Sequence, residues 1–65
     1  MNKQVKLIKF LVRYPDKWHT FASDKQTVSI VCASVNLGIV EINEYRQMRL
    51  KSKIKAGDFL NAKGN

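Results

Sequence analysis

The chain has 65 residues, with Lys and Arg numbering 12 against 5 acidic residues, for a formal net charge of +7 at pH 7. That length allows one small core and leaves little room for a buried catalytic cleft, while a hydrophobic content of 45% is too high for a disordered tail. An enzyme is therefore not expected, and the surplus of cations should attract polyanions.

In residues 3–14 the apolar Val5, Ile8, Leu11 and Val12 recur at helical spacing with Leu7 beside them, and Lys6, Lys9 and Arg13 fall opposite. This predicts an amphipathic first helix, with the basic face serving as a solubilising surface. Pro15 ends it by disfavouring the helical region for Tyr14, and Asp16 and Lys17 turn. Phe10 falls among the lysines, so another element, such as the C-terminal segment, is expected to cover it. Trp18, His19, Thr20 and Phe21 form a brief extended stretch, with Trp18 expected to plug the core between the first helix and a hairpin. His19 lacks a paired carboxylate or cysteine and is expected to be structural.

Two helix starts follow. Thr20 can cap a single turn, and Ser23 or Asp24 can cap a longer helix, with Gln26 three residues after Ser23 completing a capping box. Residues 25–37 place Val28, Val31, Cys32, Val35 and Leu37 on an inward stripe, and Gln26, Ser29, Ala33 and Asn36 on an outward one. Gly38 suits the left-handed position that closes a helix.

Beyond it the period changes to two, sending Val40, Ile42, Met48 and Leu50 to the core and Glu41, Asn43, Gln47, Arg49 and Lys51 to solvent. Glu44, Tyr45 and Arg46 form the hairpin tip, in a loop of three or four residues because no Asn-Gly or Asp-Gly pair is present. In residues 52–65, Gly57 is expected to interrupt any helix joining Ile54, Phe59 and Leu60. A flexible basic tail, a strand extension, and a short helix from Asp58 that docks on the first helix or on a second protomer all remain open.

Cys32 cannot form an internal disulfide, and one Cys with one His is too few for structural zinc, which points to a reducing interior. No apolar stretch reaches the length of a membrane span. The N-terminal candidate, residues 5–12, is interrupted by Lys6 and Lys9, and Asn2 stands where myristoylation needs glycine. The expected location is cytoplasmic, in the host cell interior and nucleoid-associated, or nuclear in a host with a nucleus, with no membrane partner.

Thr27-Val28-Ser29 at the start of a helix and Leu37-Gly38-Ile39-Val40-Glu41 at its exit into a strand give the chain a family likeness. Over residues 4–51 it resembles the winged helix-turn-helix family of DNA-binding domains. The resemblance implies an α+β domain over residues 1–51: helix, short strand, short helix or turn, recognition helix and β-hairpin wing, with residues 52–65 as a basic tail. Only residues 20–24 are available for the family's second helix, so a minimal version is implied, with that helix reduced to one turn or merged into the next. It further implies a recognition helix in the major groove and a wing tip at a phosphate or the minor groove.

The side chains suit that placement. Gln26 and Asn36 can pair with adenine edges, Ser29 suits a base or a phosphate, and Ala33 permits close approach. Lys25, Arg46, Arg49 and Lys51 would neutralise phosphates, and Thr27 near the helix start could donate to one. The first expectation is a sequence-selective, double-stranded DNA-binding regulator acting as a homodimer, of a size typical of viral, plasmid or mobile-element regulators. The alternative is a module binding a polymerase, repair or replication protein through Phe10, Tyr14, Tyr45, Ile54, Phe59 and Leu60. A nonspecific architectural role lies between them. With no glycine-rich phosphate loop, metal-ligand cluster or nucleophile and base pair, no catalytic residue, metal or cofactor is expected.

Overall fold

The computed structural model describes residues 2–63, in the order α1 (Lys3–Arg13), β1 (His19–Thr20), α2 (Lys25–Asn36), β2 (Val40–Ile42), β3 (Gln47–Leu50) and α3 (Lys53–Lys63). Three helices and a three-stranded antiparallel sheet of order β1-β3-β2 make a small α+β fold compatible with a winged helix. Helix α1 starts where the Asn2 side chain accepts from the Gln4 N–H at 2.7 Å. It ends at Tyr14, one residue before Pro15. Val5, Ile8 and Leu11 are buried along one line, whereas Val12, expected inside, is exposed because α2, α3 and β3 cover only the strip through those three residues.

The turn before α2 contains no helix. Residues 21–23 are irregular, so the second helix of the resemblance is here a turn, tied to the hairpin where Phe21 N–H donates to the Arg46 carbonyl at 3.3 Å. Asp24 caps α2 by accepting from Thr27 N–H at 3.0 Å, and the box from Ser23 to Gln26 is not used. The inward line of α2 is centred on Val31 and Ser34, with Val28, Ile30 and Val35 half-buried at its margins. Cys32 and Leu37 are consequently exposed, against expectation. Ser34 reaches the interior by donating from Oγ to the Ile30 carbonyl at 2.9 Å and accepting from Gln4 Nε2 at 3.3 Å.

At the far end of α2, Gly38 takes φ +78°, Gly38 N–H bonds the Val35 carbonyl, and Ile39 N–H bonds the Ser34 carbonyl. This double closure is a Schellman motif. It drops Ile39 into the core beside Val40, and β2 then pairs with β3 through Val40↔Leu50, Glu41↔Arg49 and Ile42↔Met48. Met48 and Leu50 are buried as expected. Ile42 is exposed, because β2 is a short edge strand and Ile42 lies at its outer end, against an open groove. Trp18 does not plug the core. It stays 36% exposed, with the Arg49 guanidinium 4.3 Å from its ring centroid.

The last segment forms an eleven-residue helix, not one begun at Asp58. Ser52 caps α3 by accepting from Lys55 N–H at 3.2 Å, and Gly57 lies inside the helix without interrupting it. Ala56 is fully buried, Phe59 and Leu60 pack against the core, and α3 docks on α1. The core therefore does not stop at residue 51. Phe10 is covered by β1 rather than by this segment: the His19 ring stands edge-on at 4.7 Å and Tyr14 lies at 5.3 Å, leaving Phe10 43% exposed.

The two helical glycine contexts give opposite expectations. A Cβ on Gly57 meets nothing within 4 Å, so Gly57→Ala should stabilise by about 0.5–1 kcal/mol. Gly38→Ala must hold a positive φ and should cost about 1–2 kcal/mol. Urea unfolding of both variants, compared at equal m-value, checks the signs.

Candidate nucleic-acid interface

Helix α2 exposes Lys25, Gln26, Ser29, Cys32, Ala33 and Asn36. They fall on one side because the opposite side is fixed by Val31 and Ser34, and none carries a carboxylate. From Gln26 to Asn36 this face runs about 15 Å along the axis, at 1.5 Å per residue. Thr27 is half-buried and used within the helix start: its hydroxyl and then its backbone N–H hold the Asp24 carboxyl below its ordinary value. That leaves Thr27 with less to offer an external phosphate.

The wing tip is organised by Asn43, which the hairpin pattern had placed merely in solvent. Its Oδ1 accepts from Tyr45 N–H at 2.9 Å and Gln47 N–H at 3.2 Å, and its Nδ2 donates to Gln47 Oε1 at 2.9 Å. An asparagine just before a turn is the sequence signal for such an arrangement. Glu44, Tyr45 and Arg46 form the exposed tip, with Arg46 at φ +58° in the left-handed region. A three-residue hairpin loop ending in that conformation normally carries glycine there. Here it carries a cation, beside Glu44.

Arg46 and α2 stand on either side of an open groove of about 340 Å³, with Val28, Val31, Cys32, Phe21 and Ile42 as its apolar lining and Ser23, Asn43 and Glu44 completing it. The groove sets the wing tip against Val28, Val31 and Cys32 of α2, while Gln26, Ser29, Ala33 and Asn36 lie outside its lining. Arg49 and Lys51 are placed elsewhere. Arg49 donates from Nε and Nη2 to Glu41 Oε2 at 3.1 and 3.0 Å and lies over Trp18, so its charge is matched on the outer face of the sheet. Lys51 is exposed at the opposite end of β3 from the tip, where its N–H donates to the Ile39 carbonyl at 2.7 Å.

A residue outside the expected set touches the exposed face of α2. Lys3, the first residue of α1, donates from Nζ to Gln26 Oε1 at 2.8 Å. Periodicity cannot reveal a contact between helices 23 residues apart in the chain.

No family model, curated protein or solved structure matches the chain. Among the described residues no helix is long and apolar enough to cross a membrane, and no group of three or more His, Cys, Asp and Glu could hold a metal ion.

A non-glycine residue in the left-handed region costs on the order of 1 kcal/mol. Arg46→Gly should therefore leave the denaturation midpoint unchanged or raise it, despite the extra freedom glycine gives the unfolded chain. A marked fall in the midpoint would mean that the Arg46 side chain itself supports the hairpin.

Proposed function

We propose that the protein is a sequence-selective, double-stranded DNA-binding regulator of the winged-helix type, with α2 in the major groove and the wing tip on the backbone. One observation carries this reading: an exposed face of Gln26, Ser29, Ala33 and Asn36, free of carboxylates, on the same helix that borders the groove under a wing tip whose cation occupies a strained backbone position. Uncharged amide and hydroxyl groups can distinguish base edges, while Lys25 and Arg46 flank them for phosphates. Arg49, matched by Glu41, contributes less than its formal charge to such a surface. One helix on so small a domain gives limited specificity, so the working unit is a homodimer spanning two half-sites, acting inside the cell.

The test is selection of bound duplexes from a random pool, followed by titrations at fixed salt. Gln26→Ala and Asn36→Ala should each lose about 1–3 kcal/mol of discrimination at one base pair. Lys25→Ala and Arg46→Ala should weaken binding to all sequences and lower the slope of log K against log salt by about 1 each. Equal competition by any duplex would reduce the role to nonspecific coating.

A second reading, a protein-binding module, is favoured by the Phe10, Tyr14 and His19 rings, which cluster with centroids 4.7 to 6.4 Å apart while Phe10 and Tyr14 stay exposed. Of the other side chains expected there, Phe59 and Leu60 pack on the core, Ile54 is 79% exposed on α3, and Tyr45 is at the wing tip, 73% exposed. A defined protein partner lost on Tyr14→Ala, with DNA binding weak and indifferent to sequence, would select this reading.

A further inference from the structure

We propose that Lys3 sets the base preference of Gln26, turning a side chain suited to adenine into one that favours guanine. The inference rests on the DNA-reading function proposed above. An ammonium has donors and no acceptor, so the Gln26 atom facing Lys3 Nζ at 2.8 Å must be the amide oxygen. That contact turns the carbonyl end of the amide toward α1 and leaves Nε2, with its two N–H groups, as the free end. A glutamine reads adenine by accepting from N6 with its oxygen while donating to N7 with its nitrogen. Oε1 keeps a second lone pair, but the Lys3 contact turns it toward α1 and away from an N6 donor, so Gln26 presents chiefly its N–H groups, and guanine, which offers two adjacent acceptors at N7 and O6, becomes the better match.

Electrostatics argue against a purely structural role for this lysine. Lys3 is the first residue of α1 and its Nζ lies at the first turn of α2, and neither helix has an acidic residue in its first turn. Its charge therefore opposes the positive ends of both helix dipoles. The nearby carboxylate is Asp24, held below its ordinary value mainly by Thr27 and in smaller part by Lys3. Because Lys3 opposes both dipoles but attracts Asp24 and bonds Gln26, removing it should change stability little in either direction, so a change in base preference can be separated from a change in stability.

The experiment uses the full chain and duplexes varied at the base pair where Gln26→Ala abolishes preference. In the parent protein guanine should be favoured over adenine there. Lys3→Met should move that ratio toward adenine by about fivefold or more, the lower end of what one paired base contact is worth. The shift should vanish when Lys3→Met is made in the Gln26→Ala background, and the Lys3→Met melting temperature should stay close to the parent's. Uniform weakening on all duplexes with an unchanged ratio makes Lys3 a phosphate contact and overturns the proposal alone, as does a shift that persists without Gln26. A parent protein with no preference among sequences overturns both this proposal and the DNA-reading function beneath it.

Discussion

The fold depends on the main chain of one residue, Ile39. Its N–H closes α2 on the Ser34 carbonyl, and its carbonyl accepts from Lys51 N–H at 2.7 Å and Ser52 N–H at 3.3 Å. The end of one helix, the end of the central strand and the start of the last helix therefore meet at the two peptide groups flanking a single residue, with the Ile39 side chain buried beneath them. This convergence is possible because Gly38 takes a positive φ and turns the chain within one residue. The tie also sets the direction of β2 as it leaves α2. Since β2 pairs with β3, it sets where the wing tip stands relative to that helix.

Local rules made the frame legible. Pro15 after Tyr14, Asp24 as one of two caps offered for α2, Gly38 between two periods and the alternation that buries Val40, Met48 and Leu50 each act within a few residues, and each is found where it was expected. The outward residues Gln26, Ser29, Ala33 and Asn36 were legible for the same reason, since helical geometry fixes which side chains share a face. What failed was neighbourhood. Ser34, which belonged to neither stripe, is buried because Gln4 and the Ile30 carbonyl satisfy its hydroxyl. Cys32 and Ile42 stay out because the space above them is an open groove. Gly57 was read as a helix breaker, but docking of Ala56, Phe59 and Leu60 outweighs a propensity penalty of about 1 kcal/mol.

Charge shows a related distinction. The formal +7 describes the long-range field, which any polyanion feels. Short-range chemistry depends on which cations are free to exchange partners. Arg49 is bound to Glu41 and stacked on Trp18, Lys3 is directed at an amide oxygen, and Arg46 is held at the tip by a backbone conformation rather than by an ion pair. Three cations in one small domain thus have three different availabilities, none of them visible in the composition.

The placement of Trp18 bears on how the protein can be observed. It is the single tryptophan, and it adjoins the two-residue strand β1, with the Arg49 guanidinium over its ring. Its fluorescence therefore senses the edge of the sheet and the electric field of Arg49, not the packing of Ile8, Leu11 and Val31 in the interior. Detachment of β1 alone would change the emission while the helices remain assembled. An optical trace of unfolding would then record the least anchored strand, and helical circular dichroism would follow the core.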